Sequence, residues 1–103
     1  MTLAERIDEL RRIADAIIAR ADSGWPVGII DGSLKRIDAT IDVLMMTDSE
    51  LCEISRRYRE MPAYACGITR PALVAESARR STLSGHEHLA EVAERLRLRQ
   101  APR

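Results

Sequence analysis

Two histidines and two cysteines are the side chains of this 103-residue chain best suited to holding a metal ion or acting as nucleophiles near neutral pH. His86 and His88 stand two apart in SGHEHL. On a helix that spacing turns their side chains about 200° away from each other, so one ion cannot be chelated by both. Cys52 and Cys66 follow no zinc-module spacing, and without a secretion signal their thiols are expected to stay reduced, as small buried hydrophobes. A Gly-x-Ser-x-Gly elbow, a phosphate-cradling glycine loop and an acidic pair in an evident pocket are all missing. The sequence therefore predicts a non-catalytic protein with no metal site and no cofactor.

Elements that position binding residues rather than catalytic ones then become the question. With 46% hydrophobic and 31% charged residues, the composition is that of a folded globular chain. One Trp, two Tyr and no Phe leave the core to Ile, Leu, Val, Met and Ala, which suits helix-on-helix packing. No unbroken apolar run exceeds the length of Val43 to Met46, far short of the ~18 residues of a membrane span, and the amino terminus has no signal-peptide pattern. The expected location is the cytoplasm, away from membranes.

Net charge is zero, yet it is distributed unevenly. Residues 1 to 55 carry 6 basic and 11 acidic side chains, and residues 56 to 103 carry 10 and 5. Either the halves attract each other within the fold, or the second half presents arginines to an anionic partner.

Thr2 and Glu5 form a capping box that starts a first helix at Leu3, and Ser23-Gly24 stops it. Its stripe, Leu3, Ile7, Leu10, Ala14, Ile17 and Ala21, is broadened by Ile13 and Ile18. Leu3, Ile7, Leu10 and Ile17 are also the candidate seam of a homodimer. A second helix, capped by Asp31 or Ser33, buries Leu34, Ile37, Ile41, Leu44 and Met45. Thr47 to Glu50 opens a third, with Leu51, Ile54, Tyr58 and Met61 inward and Pro62 near its end. A fourth is predicted from about Arg70 to Thr82. A fifth begins at the Ser84 to Glu87 box and carries Leu89, Val92, Ala93 and Leu96. The expected fold is all-α, a compact bundle of four to five helices in one domain over residues 1–99 with a flexible tail over 100–103. Leu10, Ile17, Ile37, Ile41, Leu51, Ile54, Leu73, Val92 and Leu96 are the predicted core.

Between the first two helices, GWPVGII reads as an apolar loop without helical period. Trp25, Val27 and Ile29 either fold back as a lid on the core or stand out as anchors for a protein partner, since Trp dominates interface energetics.

AYACGITRPAL, residues 63 to 73, is the most motif-like stretch. Ala63 is small, Gly67 follows four residues later where a corner needs positive φ, and Ile68 and Leu73 are aliphatic anchors. Over residues 63–76 the chain resembles the helix-turn-helix motif of bacterial and phage regulators, and Pro71, Ala72 and Leu73 look similar to the same region of LysR-type regulators. It departs from the pattern at Pro62, inside the expected first helix, and at Glu76, where an aliphatic is usual. The resemblance implies that Thr69, Arg70 and Arg79 face DNA while Arg56, Arg57 and Arg80 touch phosphates.

The reading favoured by elimination is a small regulatory or inhibitory protein acting through a protein-protein interface, with a helix-turn-helix transcriptional regulator as the alternative.

Overall fold

The computed structural model describes residues 1–60 and 68–100, and these form an all-α bundle. Its helices are α1 (Leu3–Ala19), α2 (Val27–Met45), α3 (Asp48–Glu60), α4 (Arg70–Ser81) and α5 (Gly85–Gln100). The ends follow the sequence's punctuation closely. Thr2 Oγ1 accepts from the Glu5 amide at 3.2 Å and Glu5 Oε1 accepts from the Thr2 amide at 3.0 Å, closing the first capping box. Thr47 with Glu50 and Ser84 with Glu87 repeat the arrangement. The end of α1 tightens into a 3-10 turn, Arg20–Ser23, and Gly24 reverses the chain at φ 86°, a conformation that an L side chain resists.

The start of α2 differs from expectation. Pro26, not Asp31 or Ser33, is the boundary residue: its carbonyl accepts from the amides of Ile29 and Ile30 at 3.0 and 3.3 Å. Val27 to Ile30 are therefore the first turn of the helix rather than an apolar loop. Gly28 and Gly32 each disfavour a helix interior by about 1 kcal/mol, a penalty that 19 residues of helix absorb.

α2 is the spine. Leu44 packs with Leu3 and Ile7 of α1, supported by Leu10, Ile41, Met45 and Leu98. One residue earlier, Val43 packs with Leu51 of α3 and Leu73 of α4, supported by Met46, Ile54, Tyr58 and Ile68. Both apolar clusters thus sit at the carboxy-terminal end of α2. The stripe proposed as a dimer seam is occupied within the chain, with Leu3 and Ile7 buried against α2 and Leu10 and Ile17 half-buried.

Of the predicted core, Leu51 and Leu73 are buried, and Leu10, Ile17, Ile37, Ile41, Ile54 and Val92 are half-buried. Leu96 is a correction: it is 51% exposed, and Leu89 is more exposed still. The inward face of α5 runs through His88, Glu91, Arg95 and Leu98 instead, about 100° around the helix from Leu89 and Leu96. Cys52, expected inside, is exposed, and Cys66 lies outside the described residues.

Candidate interaction surface and the charged cluster beneath it

Where α2 leaves the bundle, α1 and α2 continue as a two-helix hairpin. At its tip Trp25 is 41% exposed, Val27 80% and Ile29 56%, with Ile13 and Ile18 of α1 also in solvent. The Arg20 guanidinium lies 5.4 Å from the centroid of the Trp25 ring, a cation-π contact of about 0.5 to 1 kcal/mol at an exposed site. This contact holds the indole on the turn without burying it. The three candidate anchors therefore occupy one end of the molecule, on the turn and the first turn of α2. Nearby charges are locally balanced, as in the Lys35–Asp31 pair at 3.0 Å.

The candidate DNA contacts fall into three places. Thr69 is the exposed N-cap of α4, its Oγ1 accepting from the Ala72 amide at 3.3 Å, and Arg70 is exposed in the first turn beside Pro71. Arg56 and Arg57 lie on the outer face of α3, bound to Glu53 at 2.8 and 2.9 Å, with Arg56 also on Glu60. Arg79 and Arg80 point into the protein. The corner itself, Ala63 to Gly67, lies outside the described residues, as do Met61 and Pro62.

Arg79 and Arg80 belong to a buried cluster that the sequence reading missed. Arg80 donates through Nη2 to the carbonyls of Val43 (3.1 Å) and Leu44 (3.3 Å), through Nη1 to Asp48 (3.0 Å), and through Nε to Glu76 (3.2 Å). Arg95, only 2% exposed, donates Nε–H to Leu44 O at 2.7 Å and Nη2–H to Glu91 at 2.9 Å. Arg79 grips Glu91 with both terminal nitrogens, at 2.8 Å each, and Glu76 with Nε and Nη2. Two guanidiniums thereby cap the last carbonyls of α2, where a helix leaves its acceptors unpaired and its dipole is negative. Glu76, which stands where the helix-turn-helix pattern has an aliphatic, is buried among arginines.

Electrostatics follow the geometry. The Arg79 grip lowers the Glu91 carboxyl from 4.5 to about 2, and Glu91 and Glu76 in turn raise Arg79. Arg95 is lowered, first by burial and then by the neighbouring Arg80 charge. His88 closes the edge of the cluster on Asp48 at 3.0 Å. The opposite charges of the two halves are thus partly spent inside the fold, through Arg80–Asp48 and Arg99–Glu50. A signal existed in the spacings Glu76–Arg79–Arg80 and Glu91–Arg95, which place charges on one helix face. Such spacing does not tell a solvated face from a buried one.

No group of histidine, cysteine or carboxylate side chains among the described residues is placed to hold a metal ion, and none of the described helices is long and apolar enough to cross a membrane. No protein family, curated protein or solved structure matches the chain.

Proposed function

We propose that this is a small non-catalytic regulatory or inhibitory protein that acts through a protein-protein interface, and that the tip of the α1–α2 hairpin is that interface. The observation that carries the reading is Trp25, Val27 and Ile29 exposed together at one end of the chain, with Ile13 and Ile18 beside them. Large apolar side chains in solvent at one end of a small protein mark a surface that binds. Trp supplies much contact area with few rotamers to freeze, which makes it a frequent hot spot.

In dilute solution Trp25 emission is expected at the long wavelength of a hydrated indole and open to iodide quenching. Trp25→Ala should remove association while leaving helicity and melting temperature nearly intact. A blue-shifted, unquenched emission in dilute solution, with collapse of stability on substitution, would return Trp25 to the core and end the reading.

The alternative, a helix-turn-helix regulator, draws support from Thr69 and Arg70 exposed at the amino end of α4. Arg79 and Arg80 give it none, because their donors are engaged by Glu76, Glu91, Asp48 and the end of α2.

A further inference from the structure

α5 is seated with its charged face inward. Arg95 is its one buried residue, and the same face carries half-buried His88, Glu91 and Leu98. The large aliphatic residues of its stripe, Leu89 and Leu96, are 68% and 51% exposed. Leu98 is the residue of α5 that joins an apolar cluster, packing against Leu3, Ile7 and Leu44. The second cluster takes Val43 from α2, Leu51, Ile54 and Tyr58 from α3 and Leu73 from α4, and among the described residues none from α5. The ties that join α5 to α3 and α4 run instead between ionisable side chains: Glu91 to Arg79 at 2.8 Å, Arg95 to Glu76 at 3.8 Å, His88 to Asp48 at 3.0 Å, and Arg99 to Glu50.

The groups that receive these ties also have partners that α5 does not supply. Leu44 O, which accepts from Arg95, accepts from Arg80 as well, at 3.3 Å. Arg79, which holds Glu91, also donates to Glu76. Asp48 accepts from Arg80, and Glu50 from the Thr47 amide. The Ala4 amide, bonded to Glu94 at 2.9 Å, belongs to the first turn of α1, where water can take the place of the carboxylate. Lifting α5 away therefore strips no other buried group of α1 to α4 of its last partner. On α5 it releases Arg95 Nη1, which is buried without a hydrogen-bond partner in the seated state, and such a group costs free energy only while it is buried.

We propose that α5 is a strap latched by charge: it lifts from the body formed by α1 to α4 as a unit, hinged at Thr82–Ser84, when the carboxylates of the seam are neutralised, and it does so before the body unfolds. This is independent of the hairpin tip, which lies at the other end of α2. At the seam Glu91 is faced by Arg79 of α4 and Arg95 of its own helix, Glu76 by Arg79, Arg80 and Arg95, Asp48 by Arg80 and His88, and Glu50 by Arg99. The Arg79 bond to Glu91 and the Arg99 bond to Glu50 hold both carboxyls at about 2 against an ordinary 4.5. A lifted strap returns them to the ordinary range, so opening takes up protons and is favoured as pH falls from about 4.5 toward 2. Glu50 is half exposed and screened, so Glu91 carries most of the effect. Elements with few buried apolar contacts are those that open locally, below the free energy of global unfolding.

The test is amide hydrogen exchange of the full chain followed by NMR, each rate divided by that of the unfolded peptide at the same pH so that only structure is read. At about pH 6 the amides of residues 88–95 are expected to be less protected than those of residues 37–43 in α2. Between about pH 5 and about pH 3 their protection should fall roughly 10-fold or more beyond any fall in α2. At about pH 7, Glu91→Gln/Glu50→Gln imitates protonation and keeps a residue that the capping box accepts. It should lower protection over 88–95 by a similar factor and leave 37–43 within about twofold. Leu89→Gln, on the outer stripe, should change neither. Equal protection of α5 and α2 at every pH would mean that α5 leaves only with global unfolding, and overturns the strap. Lower protection of α5 that neither acid nor the double variant alters would mean that charge is not the latch, and overturns it equally. If Leu89→Gln loosened α5 as much as the double variant, the outer stripe would be its anchor and the proposal would fail. Should the double variant not fold, the wild-type pH series decides alone.

Discussion

Replacing Glu76 by Gln should be far more damaging than replacing Arg95 by Met, although Arg95 is the more buried of the two. Three guanidiniums, Arg79, Arg80 and Arg95, face three carboxylates, Glu76, Glu91 and Asp48. Glu76→Gln leaves that cluster one positive charge in excess. Arg79 Nε, Arg79 Nη2 and Arg80 Nε all converge on Glu76 Oε1, so the amide oxygen can keep that place only as a neutral acceptor, and its NH2 then stands at the Oε2 position against Arg79 Nε. Removing one partner from a buried ionic group costs about 3 to 5 kcal/mol, roughly a 15 to 30 °C fall in melting temperature for a domain of this size. Arg95→Met loses two charge-assisted bonds, but neither acceptor is orphaned: Leu44 O keeps Arg80 and Glu91 keeps both bonds from Arg79. It also removes Arg95 Nη1, buried without a hydrogen-bond partner, and the repulsion between Arg95 and Arg80. The cluster is then one negative charge in excess, but Glu91 and Asp48 reach solvent where Glu76 does not, and Met keeps most of the stem's packing, so the loss should stay at about 1 to 2 kcal/mol, below that of Glu76→Gln. The double variant should be more stable than Glu76→Gln alone, because it restores the charge balance. Urea unfolding followed by circular dichroism gives all three values. If Arg95→Met cost more than Glu76→Gln, or if Glu76→Gln cost less than about 1 kcal/mol, the buried charge balance would not be what holds α4 and α5 on α2.

Acid should destabilise the fold through the same cluster. Glu91 is held at about 2 against an ordinary 4.5, so its contribution is complete above pH ~4.5 and lost as pH falls toward 2, on the order of 2 kcal/mol after screening; Glu91→Gln should flatten that part of a urea-midpoint profile. Leu44→Ala, beneath Leu3 and Ile7, should cost about 2 to 5 kcal/mol, and a loss under 1 kcal/mol in the same urea assay would mean that α1 is not packed on α2. With Arg79 and Arg80 engaged internally, fluorescence anisotropy should show no duplex binding at ~50 mM salt. Salt-sensitive binding that Arg70→Ala weakens by roughly 1 to 3 kcal/mol would establish the DNA-reading alternative instead.

Local signals in the sequence were sufficient for the helices. A capping box is a contact between residues three apart, so Thr2–Glu5, Thr47–Glu50 and Ser84–Glu87 state their helix starts without reference to the rest of the chain. Gly24 marks a left-handed corner in the same local way. The start of α2 is not marked in this way: Gly24 to Ile30 has no helical period of its own, and Pro26 with the length of α2 carries the first turn through. The exposure of Trp25, Val27 and Ile29 was legible only as two alternatives, lid or anchor. Which one holds depends on whether another helix reaches the tip, and that is decided by how far α3, α4 and α5 extend along α2. The inward face of α5 was illegible for a further reason. Leu89, Val92 and Leu96 make a regular apolar stripe, and periodicity alone turns it toward the core. Tertiary structure rotates the helix about 100° the other way, because the carbonyls of Val43 and Leu44, 37 and 51 residues away in sequence from Arg80 and Arg95, need donors at the end of α2. Buried carbonyls at a helix end, where the dipole is negative, outweigh a marginal apolar stripe, and only the assembled fold brings donor and acceptor together.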